Sequence, residues 1–327
     1  MSTPSDSLHS SPSGVVKTLR PVEQTTPASG LVDLMGGDSR RHIRIGEHGF
    51  VALVDVMPRL VEPADNGTAS ADAAIVQAAR VSYGAGTKKV HEDRGLIRYL
   101  LRHRHTTPFE MVEFKFHVSM PIFVARQWIR HRTANVNEYS GRYSEMPDHF
   151  YRPDAGGVRL QSTTNKQGGE ETIPAGSQTE GSFFEYLDRA EALYEEYQQL
   201  MEKGVSRELA RIALPQSVFT QWYWKCDLHN TLRFLSLRMD SHAQKEIRDY
   251  AEAMCQLIEP LCPFTIEAWR DYELESVHLT RLEIEAIREQ AKSCEKSCEI
   301  ELKTTNKREQ AEWDAKRAAL GFERAQA

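Results

Sequence analysis

Long hydrophobic runs are missing from this 327-residue chain. No apolar stretch approaches the ~20 residues that a membrane-spanning helix needs, and mean hydropathy is −0.53. An excess of positive charge is also missing. Lys and Arg number 41 against 47 Asp and Glu, a net charge of −6, with an isoelectric point near 6.1. That balance argues against a general nucleic-acid binder, so any Arg-rich run must act as a local pocket. Cysteine is sparse: Cys226, Cys255, Cys262, Cys294 and Cys298 are odd in number and show no C-x-x-C spacing. A disulfide framework is excluded on that ground. Cys294 and Cys298, four apart on one helix face, read either as a metal grip or as two ordinary thiols. The chain also lacks a glycine-rich dinucleotide fingerprint, a G-x-S-x-G elbow and a carboxylate or His cluster with metal spacing. Residues 1–30, rich in Ser, Thr and Pro without an apolar core, read as a disordered arm and not as a secretion signal. These absences together imply a reduced, cytoplasmic protein.

What is present is periodic. Gly49 to Val61 reads as a strand, Asp72 to Ser82 as a helix ending near Tyr83-Gly84, and Arg94 to Arg104 as a second helix. Pro108 is expected to stop helical continuation. Val112, Phe114, Phe116 and Val118 alternate with polar residues, the pattern of a half-buried strand. Pro121 is expected to open a helix running to about Arg132, with Ser119 as cap. Asp154 to Gly181 reads as a long loop. Ser182 and Glu185 form a candidate capping box for one helix reaching about Lys203. Further helices are expected over Ser206–Leu214, Asp227–Met239 and His242–Ile258, and the charged residues 276–327 suggest a solvated helical tail. The exclusively aromatic run Trp222-Tyr223-Trp224 reads as packing between subunits in preference to base stacking. Glu110 is either a general base or a structural carboxylate, and Arg80 either a ligand contact or a core-edge ion pair.

The densest chemistry lies in Arg130-His131-Arg132, followed after seven residues by Ser140-Gly141-Arg142. Such a concentration of cations with a hydroxyl and a glycine suits an anion, above all a phosphate. Arg211 and Arg238 sit on later amphipathic segments and are candidates to face the same pocket. Several arginines around one pocket imply a ligand with more than one anionic centre, and a nucleotide meets that demand. Two other classes compete: a nucleotide- or RNA-binding module without chemistry, which would need a basic stripe, and a metal-assisted nucleotide hydrolase, which would need a ligand cluster.

The run from Arg130 to Ser144 resembles the Arg-His-Arg, seven residues, Ser signature of the flavin-dependent thymidylate synthases. Ala79-Arg80-Val81-Ser82-Tyr83-Gly84, His105-Thr106-Thr107-Pro108-Phe109-Glu110 and Leu237-Arg238-Met239-Asp240-Ser241-His242-Ala243-Gln244 resemble further blocks of that family, in its order, over about Gly49 to Tyr272. The resemblance implies an α+β fold, an antiparallel sheet flanked by long helices (the thymidylate synthase complementing-protein fold), working as a homotetramer with active sites shared between subunits. It implies an arm over 1–30, a catalytic domain over 31–275 and a tail over 276–327. The implied reaction is the reductive methylation of dUMP to dTMP, with 5,10-methylenetetrahydrofolate as carbon donor and FAD reduced by NADPH as hydride source. By the same resemblance Gln127, Arg130, Glu138, Ser140, Gly141, Arg142, Arg211 and Arg238 hold dUMP. Thr107, Arg130, His131, Arg132, Glu138, Asp227, Leu228, His229 and Arg233 hold FAD, and Arg238, His105 and Ser140 lie nearest the chemistry. No metal is implied.

Overall fold

The computed structural model describes residues 41–62, 67–82, 93–163, 167–293, 302 and 304–322. The arm over 1–30, the expected helix end at Tyr83-Gly84 and the Cys294/Cys298 pair lie outside the described residues. Strands β1 (Arg41–Ile45), β2 (Gly49–Met57), β3 (Glu113–Pro121), β4 (Asn135–Glu138) and β7 (Phe219–Asp227) form a five-stranded sheet of order β1-β2-β3-β7-β4. Every pairing in it is antiparallel. A separate hairpin joins β5 (Arg159–Gln161) to β6 (Gly169–Thr172).

Strand alternation builds the core. On β3 the side chains of Phe114, Phe116, Val118 and Met120 are fully buried. Phe116 lies opposite Trp224 of β7, and Val118 opposite Trp222. Helix α4 (Ile122–Trp128) inserts Trp128 between them, edge-on to Trp222 and Trp224 with ring centroids 5.7 Å away in both cases. Trp128 also stacks on Phe234 of helix α8 (Leu228–Arg238) at 4.6 Å. The three indole N–H groups are buried without a hydrogen-bond acceptor among the described residues. Trp222 and Trp224 are therefore core residues of a single chain, and the expectation that they serve subunit packing is corrected. Tyr223, on the opposite face, stacks on His117 at 4.8 Å.

Helices α1 (Ser70–Val81), α2 (Asp93–Arg102), α9 (Lys245–Ile258) and α10 (Pro263–Trp269) pack around this core. The buried Asp72 ties α1 to the start of α10, accepting from the N–H of Phe264 (2.9 Å), the N–H of Thr265 (3.2 Å) and the Thr265 hydroxyl (2.6 Å). Arg80 pairs with Asp93 at 2.7 Å, as a core-edge ion pair.

Several helical expectations are revised. Pro108 does not stop a helix; it opens the short α3 (Thr107–Glu110), where its missing N–H costs nothing. Pro121 does open α4, as its N-cap residue, and it also ends β3, whose pairing with β7 runs from Glu113 to Pro121. Ser119 is not a cap; its hydroxyl donates to the carbonyl of His48 at 3.0 Å. Helix α4 stops at Trp128 and not at Arg132, since the chain must turn to lay β4 along the edge of β7. The long helix to Lys203 is two, α5 (Gln178–Glu191) and α6 (Leu193–Glu202). The cap lies five residues earlier than expected: Ser177 accepts from the Glu180 N–H at 3.3 Å, and Glu180 accepts from the N–H of Gly176, the residue before the cap, at 2.6 Å. Segment 207–213 is a single turn, α7 (Arg207–Ala210), followed by a tighter one over Arg211–Ala213.

The described chain divides into two compact units, the second beginning at Glu275. That unit contains α11 (Arg281–Ser293) and α12 (Lys307–Ala319), linked by Arg288 Nε donating to the carbonyl of Ala319.

Candidate active site

The Arg-His-Arg run leaves the end of α4 as a turn. Arg130 and Arg132 are exposed, whereas His131 is half-buried with its ring edge-on to Phe234 at 4.9 Å. Arg238, in the last turn of α8, reaches back across it. Its Nε donates to His131 Nε2 at 3.1 Å and its Nη2 to the main-chain carbonyl of Gln127 at 3.2 Å. An Nε2 that accepts from a guanidinium carries no proton, so His131 is the neutral Nδ1–H tautomer. Burial, then the charges of Arg238 and Arg233, push its pKa down to about 4. Burial likewise lowers the pKa of Arg238. Two of the five guanidinium N–H donors of Arg238 are thus committed to fixing its plane, and three remain for a ligand.

The second group forms around Ser140-Gly141-Arg142. The Ser140 carbonyl accepts from the N–H groups of Tyr143 and Ser144, each at 3.1 Å. The Ser140 hydroxyl accepts from the Arg142 N–H at 3.3 Å. Gly141 is buried for a steric reason: a Cβ there would lie 2.7 Å from Met146 Sδ and 3.1 Å from Arg211 Cδ. Arg211, seventy residues downstream, is therefore packed directly on Gly141. Arg142 Nε donates to Glu208 of α7 at 3.0 Å. The fold thus brings Ser140, Gly141, Arg142 and Arg211 to one place, with Arg142 paired to Glu208. Glu138, on β4, accepts from the Thr220 hydroxyl at 2.8 Å.

The remaining candidates are placed as follows. His105 is exposed beyond the end of α2, its ring parallel to Tyr99 at 6.0 Å. Its N–H returns to the Leu100 carbonyl (2.9 Å) and that of Arg104 to Leu101 (3.0 Å), a Schellman closure in which Arg104 adopts φ 58°. A glycine normally fills that left-handed position. Thr107 is exposed at the start of α3. The Asp227 carboxylate caps α8, taking the Asn230 N–H at 2.9 Å and the Asn230 amide at 2.8 Å. Leu228 is fully buried with its N–H on the Val112 carbonyl, while His229 is half-buried and Arg233 exposed. Among the described residues no hydrogen bond, ion pair or ring contact joins His105 or Thr107 to the Arg238 or Arg211 group, and no cluster of three or more His, Cys, Asp or Glu is arranged to hold a metal. No described helix is long and apolar enough to cross a membrane.

Two cavities, of about 530 and 490 Å³, open elsewhere. The first is walled by Phe123, Tyr151, Arg159, Phe183, Gln244 and Glu246. Neither is lined by any residue of the Arg-His-Arg or Ser-Gly-Arg runs. Gln244 carries no signal of its own as a site residue in the sequence, although it closes the block Leu237 to Gln244. Its side chain accepts from Gln127 Nε2.

The profile of the thymidylate synthase complementing protein family matches residues 66–264. A flavin-dependent thymidylate synthase of Dictyostelium discoideum is 57% identical over 299 residues, covering 91% of this chain and 94% of that one. One of Treponema denticola is 50% identical over 249 residues, covering 76% and 89%. Among solved structures, a UMP/dUMP methylase of Streptomyces cacaoi bound to 5-bromo-dUMP is similar with a TM-score of 0.59 at 34% identity, covering 71% of this chain and 99% of that one. With the Arg-His-Arg turn, the Ser-Gly-Arg cluster and the antiparallel sheet that carries them all in place, the chain belongs to the thymidylate synthase complementing protein family.

Proposed function

We propose that the protein is a flavin-dependent thymidylate synthase, converting dUMP to dTMP. The observation that carries the reading is Arg238, a guanidinium locked in plane by His131 and the Gln127 carbonyl with its remaining donors open. In this reading Arg238 faces the uracil ring. A cation about 4 Å from the ring, at an effective dielectric near 20, contributes about 4 kcal/mol to an N3-ionised pyrimidine. The added electron density makes C5 nucleophilic, so electrostatic preorganisation replaces a covalent nucleophile. Ser140, Gly141, Arg142 and Arg211 receive the phosphate, for which paired guanidinium groups and a hydroxyl are suited. Gln127, Arg130 and Glu138 complete the nucleotide site.

The residues fit a flavin dinucleotide as well. The exposed Arg132 and Arg233 flank the neutral His131, offering a diphosphate two cations with no buried carboxylate between them. Thr107, Asp227, Leu228 and His229 line the same approach through the starts of α3 and α8, Leu228 by its main chain alone, because its side chain is in the core. FAD, once reduced by NADPH, supplies the hydride, and 5,10-methylenetetrahydrofolate the carbon. His105 stands at the edge of this region as a flat polar ring able to stack.

Arg130, Arg132, Glu138, Arg142 and Arg233 are exposed in the single chain, which supports a homotetramer whose sites are completed by neighbouring copies. Residues 31–275 form the catalytic domain in this reading. The three described cysteines, Cys226, Cys255 and Cys262, are buried and free, in keeping with a reducing cytoplasm. The test is tritium release from C5-labelled dUMP with methylenetetrahydrofolate and NADPH, with and without FAD. Release that requires both FAD and NADPH is expected. No release from folded, FAD-loaded protein would leave the arginines a nucleotide site without chemistry.

A further inference from the structure

Gln244 occupies the N-cap position of α9, yet its side chain makes no cap bond. It is turned away from the helix into a polar chain with a defined direction. At one end stands Glu246, nearly buried, whose carboxylate accepts from the Tyr151 hydroxyl at 2.9 Å and from Arg159 Nη2 at 2.9 and 3.1 Å. The Gln244 amide also faces this carboxylate and lowers its pKa, as an N–H donor does. Burial alone would raise the pKa of Glu246. Its own main-chain N–H, the Tyr151 hydroxyl, the charge of Arg159 and the Gln244 amide outweigh that and lower it, so the group is ionised.

An ionised carboxylate accepts and never donates. The part of Gln244 that faces Glu246 must therefore be its NH₂, which leaves Oε1 pointing the other way. That oxygen accepts from Gln127 Nε2. Each amide in the chain has its orientation dictated by the one before, beginning from a charge that cannot be flipped. Gln127 is held at both ends, its main-chain carbonyl by Arg238 and its amide nitrogen by Gln244. Its Oε1 has no partner among the described residues. Arg159, which anchors the charge, belongs to strand β5, so the hairpin fixes a group in the substrate site without touching substrate.

We propose that Gln244 is a positioning residue for the nucleotide: it fixes the amide of Gln127 so that Gln127 Oε1 faces dUMP as a hydrogen-bond acceptor for a hydroxyl or N–H of the substrate. The inference rests on the reading of dUMP as substrate. Freed from Gln244, the Gln127 amide presents nitrogen as readily as oxygen, and a donor then meets a donor.

The experiment measures equilibrium dUMP binding by calorimetry, together with tritium-release kinetics, on full-length FAD-loaded protein. The variants are Gln244→Met, Gln127→Met and the double variant. Each single change is expected to weaken dUMP binding about tenfold, the loss of one hydrogen bond to a ligand. KM for dUMP should rise in step while kcat falls less than about threefold. The double variant should be no weaker than either single one, because both act through one group. Wild-type affinity in Gln244→Met overturns the proposal, and so do additive losses in the double variant. Should Gln244→Met fail to fold, the isosteric Glu246→Gln is measured instead. It releases the Gln244 amide and should show the same fall; unchanged affinity there also overturns the proposal. If wild-type protein binds no dUMP, the functional reading fails and this proposal falls with it. If wild type binds and the variants bind equally well, this proposal fails alone.

Discussion

Replacing Arg238 separates charge from geometry. The guanidinium is fixed by two bonds, 3.1 Å to His131 Nε2 and 3.2 Å to the Gln127 carbonyl. Arg238→Gln removes the charge while keeping a polar side chain of similar reach. The lost interaction is about 4 kcal/mol for a ring about 4 Å away at an effective dielectric near 20, or about a thousandfold in rate. Arg238→Lys keeps the charge on one nitrogen, which cannot span both anchors and still reach the ring. A displacement of about 2 Å reduces the interaction to about 2.8 kcal/mol, so this variant should lose only about tenfold. The assay is single-turnover tritium release at saturating dUMP, with FAD content measured on the same samples. Flavin content should stay close to wild type in both. Arg238→Gln within tenfold of wild type refutes the polarising role. Arg238→Lys as poor as Arg238→Gln refutes it differently, because the fork and not the charge would then matter.

Three further outcomes follow from other parts of the molecule. Ser140→Ala should weaken dUMP binding about tenfold with turnover still measurable; complete loss of chemistry at intact affinity would point to a covalent Ser140. Gly141→Ala places a methyl group 2.7 Å from Met146 Sδ and 3.1 Å from Arg211 Cδ. Displacing Arg211 should raise KM for dUMP and cost about 1–3 kcal/mol in a denaturant titration, and an unchanged KM would separate Arg211 from substrate. Asp72 has its pKa raised from 3.8 to about 6 by burial, against three hydrogen bonds that lower it. Folding then takes up a proton between pH 4 and 6, so stability falls as pH rises through that window, by about 3 kcal/mol in all. The stability gap between wild type and Asp72→Asn should therefore narrow by about that amount from pH 4 to pH 7. A gap independent of pH would mean that the hydrogen bonds win and Asp72 is already ionised.

The parts of the fold visible in the sequence were those with strong local period. The β3 strand shows because Phe114, Phe116 and Val118 alternate with polar residues, and α8 shows because Asp227 caps it and Leu228, Leu232 and Leu235 share a face. The β5–β6 hairpin left no such signal. All four residues of β6 are exposed, so nothing apolar marks a face. The β7 strand was hidden by its own richness: Trp222-Tyr223-Trp224 is aromatic throughout, and only the register against β3 shows which rings face the core. The end of α4 is not encoded in helix propensity, which ignores the edge of β7, where β4 gains a ladder by ending the helix early. The site was legible as residue types at a spacing. The contact of Arg211 with Gly141 and the path from Arg159 to Gln127 depend on tertiary approach, which spacing does not encode.

The packing of Trp128, Trp222 and Trp224 has an optical consequence. Rings 5.7 Å apart exchange excitation faster than they emit, so the three behave as one chromophore. Trp128 stacks on Phe234, and Phe234 meets the ring of His131. An isoalloxazine seated beside His131 would lie a few ring widths from that chromophore and absorb where indoles emit. With the flavin placed as proposed, quenching of the core's emission should report its occupancy in the untreated protein, without label or substrate.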